Sequence, residues 1–481
     1  MRRWATIGMI LVSAALAFAQ PPPIQEPLLT NAPWPTWGRD LRRSHFADGV
    51  VGPNTPAVRW FSQGGSLEEP AMPTIVELWT PQHPAVGARY TRYTFYNAVN
   101  GRITGSFGPF WGQPSTPIFT NAAVFTFDNN GNLVSYDPWL ALMLSGGQYE
   151  CLLFSPSPEE GFPSVFWTIR GFPAYRTGFG AFTDGFYIYP VFADNFGNII
   201  MLFLAWFVVV DPNTFQIQQV IPDYGGFIFD QIPSAVLSTV SGSGNLLLLG
   251  FHNGLVVAID TDIFDYAWFT TIPVLSDNGN GPEVPSDSVD RPIAITSNGQ
   301  TAIVCGSNSG RVYGVAMANG TRQWEYRADR PIMAGPSIGP DPNNANEDTV
   351  YIVVRHSNTQ SAIHAIRASD GALKWVRLLP NVSRCNPTID DNGVLYIGDE
   401  RGFLYAISPN NTLKWQLYLG SPIRTAPVLA LDPNVNPNPN NLGTLYVAAS
   451  NRFLYAIVDS STLSTNISPV SLPRAGGALG Q

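Results

Sequence analysis

Apolar and polar positions alternate with a period of two over short stretches of the chain, and each stretch is broken by a polar turn. Residues 393–408, GVLYIGDERGFLYAIS, form two such runs around a Gly-containing turn. Residues 244–260, GNLLLLGFHNGLVVAID, repeat the design with Asn253-Gly254 at the turn, where positive φ is cheap and a tight hairpin can close. This period predicts β-hairpins rather than helices. Upstream of each hairpin a short run predicts a first, inner strand: AGPSIGPD at 334–341, CNPTIDDNG at 385–393 and TAPVLALD at 425–432. Downstream, a Trp-bearing run predicts a fourth, outer strand. The apolar run IIMLFLAWFVVV at 199–210 is too short for the ~20 residues a membrane span needs. It aligns with the hairpins and predicts buried strands.

The same phrase returns along the chain. It is clearest as LYAISPNNTLKW (404–415) and IHAIRASDGALKW (363–375). Further copies are VVAIDTDIFDYAW (256–268), VYGVAMANGTRQW (312–324) and LYAIVDSSTLSTN (454–466), the last without its Trp. Weaker echoes are FVVVDPNTF from residue 207, LVSYDPW from 133 and YTFYNAVNG from 93. Marking the fourth residue of each phrase gives Tyr96, Tyr136, Val210, Ile259, Val315, Ile366, Ile407 and Ile457. Successive markers lie 40 to 56 residues apart except for one interval of 74. That spacing exceeds the ~34 residues of a helical-pair repeat and matches the ~40 to 50 of a four-strand propeller blade.

The pattern therefore predicts an all-β chain, a β-propeller of four-stranded antiparallel blades, eight in number. Seven and nine stay open, because the 74-residue interval contains GFPSVFWTIRGFPAYRTGFGAFTDGFYIYPVF (161–192), which is either an insertion or an eroded blade. Composition agrees: charged residues are 13%, and Gly and Pro number 44 and 42, as expected where many short strands alternate with turns.

The N-terminus, MRRWATIGMILVSAALAFAQ, pairs Arg2 and Arg3 with an apolar stretch and Ala17-Phe18-Ala19. This predicts a signal peptide over residues 1–19, a Pro-rich arm over 20–50, the propeller over 51–466 and a tail over 467–481. Export to the periplasm, the cell surface or the medium follows, with no transmembrane anchor after cleavage. No Cys follows the apolar stretch, so a lipid anchor is unsupported. Cys151, Cys305 and Cys385 are widely separated and odd in number, which predicts buried free thiols at Cys305 and Cys385 and leaves any Cys151 pairing open. The net charge is −9 and the only lysines are Lys374 and Lys414. No basic stripe is present to track a phosphate backbone, which argues against nucleic acid as a partner.

The opening WPTWGRD at 34–40, together with the repeated phrase, resembles the quinoprotein-like, PQQ-repeat β-propellers. That family includes pyrroloquinoline quinone (PQQ)-dependent alcohol dehydrogenases and non-catalytic assembly-factor propellers of the outer membrane. The likeness is good over 244–458 and degenerate over 93–211. It implies that Trp268, Trp324, Trp375 and Trp415 dock onto neighbouring blades, where a large ring can fill the gap and place its N–H on a loop carbonyl. Arg367 and Ser408 replace the Asp found at Asp260. Gln218 and Thr465 lie near where a Trp is expected, which puts docking there in doubt.

Chemistry-bearing motifs are sparse. The dehydrogenases of the family carry adjacent cysteines beside PQQ and Ca²⁺ ligands over the ring centre; here no two cysteines are neighbours. No CxxCH is present for a c-type haem, no GxxxxGK[ST] for phosphate and no GxSxG for acyl transfer. His45, His83, His252, His356 and His364 are dispersed without zinc spacing. The Asp/Asn-rich loops at 276–290, 341–348 and 432–441 lack the EF-hand order of ligands and read as solvent-facing turns. The resemblance is closer to the assembly factors than to the dehydrogenases. It implies a non-catalytic exported propeller that binds a protein or cell-envelope component, with no cofactor. PQQ and Ca²⁺ enter only under the alternative of a quinoprotein oxidoreductase with a degenerate site. Carbohydrate binding, resting on the aromatic segment 162–192, is a third class.

Overall fold

The computed structural model describes Arg42, residues 44–63, strand segments and adjoining turns between 74 and 237, and residues 246–463 except 252–253, 261–264, 273–286 and 290. The predicted leader, most of the arm, the C-terminal tail and most of segment 162–192 lie outside the described residues, as do the side chains of Cys151 and Gln218.

Sequence-adjacent hairpins assemble into antiparallel meanders. The blade of residues 332–378 is typical, running through Ile332–Asp341, Asn344–Arg355, Ser361–Arg367 and Leu373–Leu378. Its neighbours are the blades 294–327 and 388–418. First strands of neighbouring blades touch one another, so they form the inner ring and the fourth strands form the rim. The described strands make eight sheets, and no described helix is long and apolar enough to cross a membrane. The run at 199–210 folds as the paired strands Ile199–Phe203 and Trp206–Val210. Part of the 74-residue interval, Glu150–Pro156 and Pro163–Ile169, extends the sheet that holds Leu133–Ser145.

The repeated phrase is explained by cross-strand pairing within a blade. Each Trp of a fourth strand stands opposite a small residue of the third: Trp268 opposite Ala258, Trp324 opposite Gly314, Trp375 opposite Ala365 and Trp415 opposite Ala406. The indole lies over that residue; a Cβ on Gly314 would sit 2.3 Å from Trp324 Cε2. A register shift follows the small residue in all four pairs. Such a bulge increases local twist and re-aims the strand beyond it. A buried Tyr of the second strand, Tyr351 or Tyr396, backs the indole at 5.8 Å between ring centres.

The last blade is closed by the opposite end of the chain. Val428–Leu431, Gly443–Ala448 and Phe453–Asp459 supply three strands, and Pro56–Gln63 supplies the fourth, with Trp60 opposite Ala456. The Trp missing from the phrase at 454–466 is thus delivered from the N-terminal side. Arg59 pairs with Asp432, and Asp459 accepts from Asn54 N–H, Thr55 N–H and Thr55 Oγ1. Burial alone would raise the Asp459 carboxyl, but hydrogen bonds from Ser461 Oγ and from the N–H groups of Thr55, Ser461 and Asn54 hold it well below the usual range. The first strand of this blade touches Thr74–Glu77, the first strand of the next sheet.

Upstream of the closing strand, residues 42–52 cross the inner edge as a strap. Ile295 N–H donates to Arg42 O, Ile338 N–H to Ser44 O, Ile389 N–H to His45 O and Gly443 N–H to Val51 O. Four consecutive blades are stitched by one segment. Phe46–Ala47 adds in parallel to Thr388–Asp390.

Candidate interaction face

The five described Trp residues of the fourth strands join each blade to the next. Trp268 Nε1 donates to Met317 O at 2.7 Å, Trp324 Nε1 to Ala368 O at 2.9 Å, Trp375 Nε1 to Pro409 O at 2.8 Å and Trp415 Nε1 to Pro53 O at 2.8 Å. Trp60, which the sequence reading did not single out, donates to Ala98 O at 3.0 Å. Its signal was the AVRW run at 57–60, a fourth strand without a hairpin of its own. Trp60, Trp268 and Trp324 lie against Gly101, Gly320 and Gly371, each in the third-to-fourth-strand turn of the following blade and each at positive φ. In the turn that receives Trp375, Asn411 takes the positive φ instead, at 67°.

The buried Asp390, Asp399 and Asp287 serve local structure. Asp390 accepts from the N–H groups of Gly52, Asn392 and Val394 and from Tyr396 Oη. Burial raises its pKa, partly offset by these donors. Asp399 accepts from Asn381 Nδ2, Arg401 N–H, Phe403 N–H and Tyr405 Oη. Asp287 takes the N–H groups of Asn308 and Ser309. Among the described residues no three His, Cys, Asp or Glu side chains converge as metal ligands. Cys305 and Cys385 are buried free thiols, and burial pushes the Cys385 thiol up to about 12. His45 is buried beside Asn386, while His364 lies across a blade seam and His356 is exposed in a turn.

The two sides of the ring differ in charge. On one side lie the first-to-second and third-to-fourth strand turns, which carry Asp341, Glu347, Asp370 and Asp391, with Arg367 close to Asp370. On the other lie the second-to-third turns and the blade-to-blade connections. Over blades 332–378, 388–418 and the closing blade these present Arg330, Arg384, Arg401, Arg424 and Arg452, against Asp329, Glu400 and the buried Asp399. Glu400 sits between two guanidiniums, 3.3 Å from Arg384 Nε and 2.9 Å from Arg424 Nε. Aromatic rings border the same loops. Phe403 follows Gly402 and packs on Tyr418 at 4.8 Å; Phe453 follows Arg452 and meets Phe61 edge-on at 5.3 Å. Phe403, Phe453 and Phe61 are half-buried, and Tyr418 is exposed.

Residues 308–462 match the family described as "Outer membrane protein assembly factor BamB". No curated protein matches the chain in sequence. Among solved structures, the quinohemoprotein alcohol dehydrogenase ADHIIG of Pseudomonas putida HK5 is 9% identical, with a TM-score of 0.61 over 92% of this chain and 82% of that one. Sqt1 of Saccharomyces cerevisiae is 10% identical, with a TM-score of 0.53 over 86% and 100%. BamB of Moraxella catarrhalis is 12% identical, with a TM-score of 0.49 over 84% and 98%. At these identities the first two likenesses extend to the fold alone. Over residues 308–462 the chain resembles the PQQ-repeat assembly-factor family.

Proposed function

We propose that the chain is an exported, non-catalytic propeller that holds a protein or cell-envelope partner on one of its faces. The observation that carries this reading is the match of residues 308–462 to the outer-membrane assembly-factor family. Asp390, Asp399 and Asp287 support it, because they are engaged by backbone N–H groups, Asp390 by Gly52 and Val394, Asp399 by Arg401 and Asp287 by Ser309. A general base or a Ca²⁺ ligand beside PQQ needs carboxylate oxygens turned toward substrate or metal. The eight described sheets support a ring of eight blades.

The test is a titration of the mature protein with PQQ, with and without Ca²⁺. Intrinsic Trp fluorescence reports binding, and a dye-reduction assay with a panel of alcohols reports turnover. No saturable binding is the expected outcome. Saturable binding with dye reduction replaces the scaffold with a quinoprotein oxidoreductase, and retention on insoluble polysaccharide replaces it with a carbohydrate-binding propeller.

A further inference from the structure

We infer that the side of the ring carrying Arg384, Arg401, Arg424 and Arg452 docks an acidic, aromatic-bearing extended segment of a partner protein; this rests on the scaffold reading above.

Charge complementarity is the first argument. The chain carries a net charge of −9, yet the described loops of this side bring Arg330, Arg384, Arg401, Arg424 and Arg452 together over three consecutive blades. All are Arg and none is Lys. A guanidinium binds carboxylates bidentately and loses less hydration than an ammonium, which suits it to interfaces. The described turns of the opposite side carry Asp341, Glu347, Asp370 and Asp391, with Asp341 paired to Lys374 and Asp370 to Arg367.

The second argument is the placement of the rings. Phe403 and Phe453 hold the same position in two consecutive repeats, the first residue of the third strand. Leu255, Arg311 and Ala362 stand at the equivalent place in the repeated phrase in the three preceding blades, where each is buried. Among the described blades from 246 to 459, half-buried Phe replaces them in the two that also carry Arg401, two residues before the third strand, and Arg452, immediately before it. Tyr418 and Phe61 complete a ring pair at each site. Aromatic anchors beside Arg, with Lys absent, are the composition of interface hot spots. The two ring pairs, one on each of two adjacent blades, suit an extended segment better than a single small molecule.

The first assay uses labelled poly(Glu,Tyr) copolymer as the probe, read by fluorescence anisotropy. Binding is expected to weaken with salt, to fall at least about tenfold in Arg401→Ala/Arg452→Ala and in Tyr418→Ser, and to be unchanged in Arg367→Ala on the opposite side. All substituted positions are solvent-accessible, and circular dichroism checks the fold. Equal binding of heparin overturns the proposal in favour of any polyanion. Photo-crosslinking in the intact cell then separates the two readings, with p-benzoylphenylalanine in place of Tyr418 or of Asn410 on the opposite side. Adducts from position 418 to peptides richer in Asp and Glu than in Lys and Arg support the proposal. Protein adducts from position 410 alone sink it and leave the scaffold standing; adducts to glycan or lipid sink it too. No adduct from either position sinks the scaffold reading itself.

Discussion

Tyr326 Oη and His364 Nδ1 share a hydrogen bond of 2.7 Å across the seam between two consecutive blades. His364 stands where Tyr313, Tyr405 and Tyr455 stand in other repeats. Burial first, and the nearby His356 second, lower its pKa from 6.5 to about 4. Because the unfolded chain takes up this proton before the folded one does, stability from this residue is complete above pH 6.5 and is lost as the pH falls toward 4. His364→Tyr should remove this part of the slope, worth about 2 kcal/mol after allowance for partial exposure. Urea unfolding at pH 7.5 and pH 4.5 measures it; equal pH dependence in both proteins would refute it.

Ring closure depends on Trp60 as much as on the Trp residues inside continuous blades. Trp60→Phe removes the donor to Ala98 O, and Trp415→Phe the donor to Pro53 O. Each should cost about 1 to 3 kcal/mol, the penalty of a buried acceptor left unpaired. Trp60→Ala should cost about 3 to 5 kcal/mol through the added cavity. Equilibrium denaturation ranks the three.

Two glycines with nearly the same backbone separate strain from packing. Gly371 has φ +74° and an added Cβ would sit 2.6 Å from Trp324 Cε3; Gly49 has φ +70° and nothing within 4 Å. Gly49→Ala should cost about 1 to 2 kcal/mol for the left-handed conformation alone. Gly371→Ala should cost about 1 to 3 kcal/mol more, because it displaces the seam Trp as well. Thermal melts of the pair give the difference directly.

Asp390 binds the strap. Asp390→Ala leaves Gly52 N–H, Val394 N–H and Tyr396 Oη without their acceptor. A loss of about 3 to 5 kcal/mol is expected. Hydrogen exchange should show Gly52 and Ile389 losing protection before the outer strands do.

Blade architecture was legible in the sequence because packing forces each repeat to say the same thing. Ala365 and Ala406 recur since an indole covers them, and Gly320 and Gly371 recur since a turn and a ring meet there. Trp60 escaped notice because it completes a phrase near the other end of the chain. The strap escaped for a different reason. It is held mainly through backbone groups and a two-residue parallel pairing, which impose no hydrophobic period. The charged face was hidden because Arg384, Arg401, Arg424 and Arg452 are scattered in sequence; the alternation of loops between the two sides gathers them.

The closing blade also sets a schedule. Asn54 and Asp459 are bonded although 405 positions apart, so Pro56–Gln63 must wait for Phe453–Asp459, the last described strand, before it has a partner. Contacts of such sequence separation form slowly. Until then Phe453–Asp459 presents an unpaired edge able to accept a strand from another molecule. A chain cut short at its front, or fused there to a stiff neighbour, would therefore remain an open arc, prone to trade strands with its own copies.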